Sequence, residues 1–253
     1  MLASDAESVQ YRPGNARRDS FDAPVHLNLG ELAAKTLLGF AQLVVFVAAA
    51  LFGPAWTFDY WQGWVYLGVF AGSSALITAY LWKNDRRLLE RRVRAGPMAE
   101  NEPRQKLIQL GATLAFIGII VLPSIDRRFA WSDVPAAGAA GGDMLAALGF
   151  FIVFLVFKEN TFTAATIEVA PDQRVISTGP YRIVRHPMYA GALVLLFGTP
   201  LALGSWWGET FFIALLVVIV CRLLDEETFL AKNLPGYDRY CAEVRYRLIP
   251  FVF

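Results

Sequence analysis

RIVRHPMYAGALVLLFGTPLALGSWWG, residues 182–208, places an arginine-histidine pair directly before a long uncharged run. The run from Met188 to Gly208 matches the roughly 20 residues that a helix needs to cross the hydrocarbon core of a membrane. Pro187 suits the first turn of a helix, where a backbone N–H would have no intrahelical partner. The pattern therefore predicts a membrane helix that begins at Pro187, with His186 at or beside the N-cap.

The whole chain is richer in apolar residues than soluble domains are. Of its 253 residues, 56% are hydrophobic and 14% are aromatic, whereas soluble domains have about 45–50% apolar residues. Further uncharged runs close to membrane-spanning length cover Thr36–Phe58, Tyr60–Trp82 and Leu107–Ile125. Two shorter runs, Met144–Phe157 and Thr210–Cys221, end in charged clusters, and we interpret them as membrane helices that continue beyond the bilayer. We therefore predict an all-α polytopic bundle of six, or five, transmembrane helices with a small cytoplasmic C-terminal cap.

Basic residues are unevenly divided between the loops of this bundle. The loop from Lys83 to Lys106 contains eight Lys or Arg residues, whereas the loop after Leu122 contains two, Arg127 and Arg128. Because basic loops stay on the cytoplasmic side of a membrane, we expect the first loop to be cytoplasmic. Counting six spans from that loop places the segment 158–185 and the C-terminal tail on the same side.

The chain divides into three regions along its length. Residues 1–30 form a polar tail, residues 31–157 contain membrane helices one to four, and residues 158–253 carry the clustered polar motifs. The last region includes a helical hairpin that turns at GSWWG, residues 204–208, and a cytoplasmic C-terminal segment. The small residues AAGAAGG at 136–142 are typical of a flexible linker, so we expect an external loop there.

Charge and cysteine content argue against several classes of function. With 23 Lys or Arg residues and 22 Asp or Glu residues, the net charge is +1, and we expect no nucleic-acid partner. Cys221 and Cys241 lack CxxC spacing and His26 lies far from His186, so we expect no metal site. The sequence also has no Walker loop, GxSxG or HExxH motif, which removes support for nucleotide, acyl-transfer and metal-hydrolysis sites of those types.

The pair Arg185-His186 lies where the predicted helix of residues 187 onward begins. A helix N-terminus presents unpaired N–H groups and the positive end of the helix dipole. Together with these two side chains, it can hold a carboxylate or a phosphate at the membrane surface. The alternative is that Arg185 reaches the lipid headgroups while His186 caps the helix.

Two further polar stretches follow. Arg222 and Glu226 are four residues apart, so they share one helical face at the end of an apolar run. Ionisable residues in that position usually face a bundle interior, although a solvated ion pair is the alternative. In the third stretch, Pro235 and Gly236 predict a turn before a short helix, Tyr237–Val244, which we interpret as a surface helix anchored by its tyrosines.

Four motifs of the C-terminal region, taken in order, resemble a known family. They are GPYRIVRHPMYAG at 179–191, GSWWG at 204–208, RLLDEETFL at 222–230 and PGYDRYCAEVRYRLIPF at 235–251. Together they are similar to the isoprenylcysteine carboxyl methyltransferases, a family of integral membrane methyltransferases, and to its phospholipid methyltransferase relatives. The resemblance covers about residues 158–253.

The resemblance implies that residues 158–253 are a cofactor-binding catalytic region, with an S-adenosylmethionine site between the membrane helices and a cytoplasmic cap. It also implies a lipophilic methyl acceptor that enters from the bilayer. Arg222 occupies the position expected to orient a carboxylate of the acceptor. His186 is a candidate base for an amine or thiol acceptor, although we favour a binding role for it. The cofactor contacts that the resemblance implies are Val175, Ile176, Tyr181, His186, Pro187, Met188, Tyr189 and Glu226.

Alternative functions stay open at this point. Membrane sterol and steroid reductases that use NADPH have a related C-terminal fold with an RHPNY-like signature, but Met188 stands here in place of the asparagine. A noncatalytic membrane scaffold is a third interpretation, which leaves the ordered set Tyr181, His186, Arg222 and Glu226 unexplained. The acceptor can be a carboxylate, an amine or a thiol. The use of Ala, Arg and Gly together with short loops is typical of a bacterial inner-membrane protein.

Overall fold

The part of the chain that the structure describes is built from helices. A computed structural model describes residues 27–94, 103–163 and 173–253, with the backbone alone for residue 94 and residues 103–107. Most of the predicted polar tail, residues 1–26, and loop residues 95–102 lie outside the described residues. The α-helices are α1 Leu29–Ala55, α2 Trp61–Asn84, α3 Arg86–Arg94, α4 Pro103–Phe129, α5 Ala136–Glu159, α6 Pro187–Ala202, α7 Glu209–Asn233 and α8 Tyr237–Glu243, and a short 3-10 helix covers Gly179–Arg182.

Helices α1, α2, α4 and α5 are long and apolar enough to cross a membrane, by length and composition. Helix α6 is apolar but has only 16 residues, and α7 is apolar up to Cys221 and charged beyond it. The predicted span Met188–Gly208 is therefore too long, because α6 ends at Ala202 and Gly204 turns the chain with φ +76°. Within the described residues, the predicted all-helical membrane bundle is confirmed.

Helices α5 and α6 pack with their backbones in contact. A Cβ added to Gly142 would lie 2.2 Å from the nitrogen of Ala202, and one added to Gly149 would lie 2.5 Å from the nitrogen of Leu195. Small residues allow membrane helices to approach this closely. The prediction of a flexible loop at 136–142 is therefore wrong, because these small residues form the first turns of α5 and part of its contact with α6.

The end of the bundle that carries the GSWWG turn, here called the aromatic end, is held together by a buried aspartate. Asp126 of α4 accepts hydrogen bonds from the backbone N–H of Ser132 at 2.8 Å, from the Ser132 hydroxyl at 2.6 Å, and from the Ser205 hydroxyl. Tyr60, beside the start of α2, donates to the Leu203 carbonyl at 2.7 Å. These bonds fix the predicted hairpin between α6 and α7 against α2 and α4.

The opposite end, here called the basic end, carries α3, α8 and the C-terminal segment. Helix α3 packs on α2 and α5 through Leu88 and Leu89, which contact Leu81 and Phe157. Helix α8 follows a turn at Gly236, where φ is +85°, and ends one residue before the predicted boundary. The chain after α8 returns to the start of α6, so the C-terminal region encloses a cavity at this end.

Candidate active site

A cavity of about 310 Å³ lies at the basic end of the bundle, between residues of α4, α6, α7 and α8. Small-molecule sites have volumes of roughly 300–1,000 Å³, so this cavity is at the low end of that range. The structure brings all the predicted site residues together on its wall. They are Val175, Ile176, Tyr181, His186, Pro187, Met188, Tyr189, Arg222 and Glu226.

The N-terminus of α6 starts where the sequence predicts. His186 is the N-cap and Pro187 occupies the first helical position, but the His186 side chain makes no capping hydrogen bond. The alternative in which the histidine side chain caps the helix is therefore wrong. The backbone N–H groups of Arg185 and His186 donate instead to the carbonyls of Tyr246 and Arg247, at 2.8 and 2.9 Å. These two bonds anchor the C-terminal segment across the start of α6.

Tyr189, in the first turn of α6, connects the two charged residues predicted on α7. Its hydroxyl donates to Glu226 Oε2 at 2.7 Å and accepts from Arg222 Nε at 3.2 Å. Arg222 Nη1 lies 3.4 Å from the amide oxygen of Gln109 on α4. Arg222 is buried and Glu226 is half-buried. The alternative of a solvated surface pair is therefore wrong, because both side chains point into the bundle.

Glu227, which the sequence analysis did not single out, is the anion that pairs with the basic residues at the start of α6. It lies beyond the apolar part of α7, and its side chain is 12% exposed. Oε1 lies 3.1 Å from Arg185 Nη1 and 3.2 Å from His186 Nε2, and Oε2 accepts from Arg247 Nε at 2.8 Å. Burial by itself raises the pKa of this carboxyl, but the hydrogen bonds from His186 and Arg247 and the charge of Arg185 outweigh it and lower the pKa to about 2. Glu227 is therefore ionised at neutral pH.

The contact with Glu227 decides which nitrogen of His186 carries a proton. A carboxylate only accepts hydrogen bonds, so Nε2 must be the donor. The ring is buried, with 6% of the residue exposed, and its centre lies 5.8 Å from that of the Tyr189 ring. In a neutral His186, Nδ1 is therefore the nitrogen that can accept a proton.

Three tyrosines form another part of the cavity wall. The Tyr181 hydroxyl accepts from the Asn160 amide at 2.8 Å, and the Tyr240 hydroxyl donates to the Tyr181 carbonyl at 2.8 Å. Tyr237 and Tyr240 are each 4% exposed and pack in one cluster with Val175. The tyrosines thus anchor α8 to the protein interior, and not to the membrane interface on which the sequence predicts this helix. Burial raises the pKa of Tyr181 to about 12, so this phenol is protonated at neutral pH.

The cavity wall also contains residues that the sequence analysis missed. Gln109 and Asn160 lie at the basic ends of α4 and α5. In the sequence, their position next to an apolar run was only a weak indication of a place in the cavity wall. Among the described lining residues, Glu226 is the carboxylate. The lining arginines are Arg92, Arg174, Arg185 and Arg222. The described wall therefore has an excess of positive charge, although Glu227, outside the lining, pairs with Arg185.

Two comparisons with known proteins place this region in context. The sequence model of the phospholipid methyltransferase family matches residues 138–235, which contain α6, α7 and most of α5. A Delta(14)-sterol reductase of Mus musculus is 33% identical over 93 residues, which cover 35% of this chain and 22% of the reductase. The matched segment thus corresponds to about a fifth of that relative. Over residues 138–235 this chain has the sequence pattern of the phospholipid methyltransferase family, which confirms its resemblance to the integral membrane methyltransferases.

Proposed function

We propose that this protein transfers the methyl group of S-adenosylmethionine to a lipophilic acceptor that reaches the cavity from the bilayer. The observation that supports this most is the cluster of Tyr189, Glu226 and Arg222 on the cavity wall. The cluster combines a carboxylate, a hydroxyl and a guanidinium within hydrogen-bond reach, and it lies in the segment that matches the methyltransferase family. A noncatalytic scaffold has no use for such a cluster inside the bundle.

The cavity wall suits the ammonium group, the ribose hydroxyls and the adenine ring of the cofactor. Glu226 supplies a carboxylate that can accept from an ammonium or from ribose hydroxyls. Tyr181 supplies an aromatic face, and Val175 and Ile176 supply apolar surface, for an adenine ring. This assignment agrees with the residues that the family resemblance implies.

The cofactor also carries a carboxylate, and the structure changes where we expect it. The sequence predicts this anion at the N–H groups that begin α6 together with the Arg185 and His186 side chains, but Glu227 already pairs with both side chains. The N–H groups of Met188 and Tyr189, in the first turn of α6, have no acceptor within the helix and lie at its positive end. We therefore propose that these backbone groups bind the carboxylate.

When bound, S-adenosylmethionine supplies an electrophilic methyl group. The residues of the chain then contribute positioning and the exclusion of water. Arg222, buried and hydrogen-bonded to Tyr189 and Gln109, can orient a carboxylate of the acceptor. A carboxylate already has the electron pair that attacks the methyl group, so it needs no base. An amine or thiol acceptor has to lose a proton, and Nδ1 of His186 is then the candidate base.

We propose that the basic end faces the cytoplasm, in a bacterial inner membrane. The segment from Lys83 to Lys106 contains eight Lys or Arg residues, and its described part, which includes α3, lies at this end, whereas Arg127 and Arg128 lie near the aromatic end. The cofactor would then enter from the cytoplasm, and the acceptor would enter from among the membrane lipids that surround the bundle.

The similarity to a sterol reductase supports a second candidate, a membrane reductase that uses NADPH. The arginines of the cavity wall suit phosphate groups as well as a carboxylate. However, Met188 stands in place of the asparagine of the reductase signature. The cavity volume of about 310 Å³ also favours the smaller of the two cofactors.

Thermal denaturation of the detergent-purified protein separates these candidates. A ligand that binds only the folded protein raises its stability, by about 2.7 kcal/mol at a ligand concentration 100 times Kd. We expect S-adenosylmethionine and S-adenosylhomocysteine to raise Tm and NADPH to leave it unchanged. Stabilisation by NADPH alone would contradict the methyltransferase proposal. No stabilisation by any of the three would favour the scaffold.

A further inference from the structure

An apolar groove of about 760 Å³ lies on the outside of the bundle, along α5 and α6. The 3-10 helix and the C-terminal segment form its walls at the basic end. Lys158 and Glu159 are the charged residues of its lining, and both lie at that end. Residues that represent the apolar lining are Leu145, Ile152 and Leu155 of α5 and Ala190, Val194 and Phe197 of α6.

The groove and the active-site cavity adjoin at the basic end, because residues that are adjacent in sequence line the groove and the cavity in turn. Glu159 lines the groove and the next residue, Asn160, lines the cavity. Pro180 lines the groove and Tyr181 lines the cavity, and Pro187 lines both. A molecule lying in the groove thus has its basic-end terminus beside the cavity.

The groove has the length and the surface that a lipid tail needs. Leu145 and Lys158 are 13 residues apart on one helix, or about 20 Å, which is roughly two-thirds of the hydrocarbon core of a bilayer. The apolar walls continue past α5 into the cap, where Ile183 is 59% exposed and Ile249 is 54% exposed. Exposed apolar side chains beside a polar headgroup layer favour a partner that covers them.

We propose that this groove holds the apolar tail of the methyl acceptor, so that the acceptor is a long-chain lipid whose reactive head lies at the level of Lys158. The inference rests on the proposed function and adds to it the site of the tail and the charge of the head. Lys158 is exposed at the mouth of the groove, and arginines line the adjoining cavity. Glu159 offsets the charge of Lys158 at the mouth, so it is the excess of arginines over carboxylates in the adjoining cavity that favours an acceptor with an anionic head.

The test blocks the groove without touching the cavity. Val194 lines the groove and is not part of the cavity wall, so Val194→Trp fills the groove from α6. Val217 on α7 is 59% exposed and lines neither hollow, so Val217→Trp is the matched control. If Val194→Trp does not fold, Leu155→Trp blocks the groove from α5.

Two measurements are made on each variant. The first is photolabelling in phosphatidylcholine nanodiscs with a 16-carbon fatty acid that carries a mid-chain diazirine, followed by peptide mapping. The second is methyl transfer from radiolabelled S-adenosylmethionine to a host-membrane lipid extract, with stabilisation by S-adenosylhomocysteine measured in parallel. We expect Val194→Trp to lower labelling of α5 and α6 and to raise the KM for the extract, each by about tenfold, while Val217→Trp changes neither. Stabilisation by S-adenosylhomocysteine should be the same in both variants as in the wild type.

Each other outcome overturns a distinct part of the reasoning. Wild-type labelling and wild-type KM in Val194→Trp, with stabilisation by S-adenosylhomocysteine intact, would overturn the groove inference and leave the methyltransferase proposal standing. Reduced labelling with an unchanged KM would mean that the groove holds a membrane lipid other than the acceptor, which also overturns it. No stabilisation of the wild type by S-adenosylhomocysteine would instead contradict the proposed function itself.

Discussion

Replacing Glu227 with glutamine keeps the shape of the side chain and removes the charge that holds the start of α6 to the C-terminal segment. In the folded protein the pKa of Glu227 is lowered from 4.5 to about 2. Each pKa unit corresponds to 1.36 kcal/mol, so the ionised carboxylate contributes about 3 kcal/mol to stability. The side chain is only 12% exposed, so solvent screens this contribution weakly. We expect Glu227→Gln to lower the free energy of unfolding at pH 7 by about 2–3 kcal/mol, or Tm by roughly 5–10 °C.

The pH dependence of this difference in unfolding free energy tests whether the charge of Glu227 is its cause. The pKa of Glu227 is lower in the folded protein than in the unfolded chain, so its contribution is fully present above pH 4.5 and is lost as the pH falls toward 2. The contribution should fall from about 3 kcal/mol at pH 7 to about 1 kcal/mol at pH 3. The wild type should therefore lose stability in acid relative to the Glu227→Gln variant.

The assay is thermal denaturation in detergent at pH 7, 5 and 3, followed by tryptophan fluorescence. The control is Glu243→Gln, which removes a carboxylate from an exposed pair with Arg239, where the N–O distance is 3.0 Å. Exposed pairs of this kind contribute about 0–1 kcal/mol, so the control should stay close to the wild type. Equal Tm values for the two variants would refute the role assigned to Glu227. If the Tm difference between Glu227→Gln and the wild type were the same at pH 7 and pH 3, an electrostatic cause of the stabilisation would be refuted.

Three further predictions follow from the site and the helix packing. Glu226→Gln should weaken S-adenosylhomocysteine binding by about tenfold or more in calorimetric titration, because it removes a charged acceptor, whereas Glu243→Gln should leave the affinity unchanged. Arg222→Lys should lower methylation of a lipid extract by about tenfold while S-adenosylhomocysteine affinity stays within about threefold, since lysine keeps the charge but loses the planar fork; equal loss of both would place Arg222 at the cofactor instead. Gly142→Ala should lower stability by about 1–3 kcal/mol in thermal denaturation, because the new Cβ meets the α6 backbone, whereas Gly141→Ala, with open space around it, should not. Equal Tm values for the two glycine variants would contradict the backbone contact.

The start of α6 could be predicted from sequence because its signals are local. Proline at the first helical position and an uncharged run after it define a helix start with no tertiary information. The first turns of α5 could not be predicted in the same way. The glycines and alanines of residues 136–142 have linker composition, and only the neighbouring backbone of α6 makes their small size an advantage.

The side of a helix that faces inward was predicted well on α7 and poorly on α8. Arg222 ends an apolar run in the membrane, where a charged side chain has to face the bundle, so its orientation follows from the energetic cost of lipid exposure. Tyr237 and Tyr240 lie outside the apolar runs, where tyrosine is equally suited to a membrane interface and to a protein interior. Their inward orientation depends on Tyr181 and Val175, which are about 60 residues away in sequence. No local pattern contains that information.

Two adjacent carboxylates on α7 explain why Arg185 and His186, at the start of α6, do not pair with Glu226. Glu226 and Glu227 point about 100° apart around the helix, so one faces Tyr189 while the other faces Arg185 and His186. If Glu227 were absent, Arg185 and His186 would attract Glu226 or an anionic group of a ligand. With Glu227 present, Arg185 and His186 have a carboxylate partner within the protein, and Glu226 stays directed at Tyr189 and the cavity. Under the proposed function, we therefore expect loss of Glu227 to alter Tm first and loss of Glu226 to alter ligand affinity first.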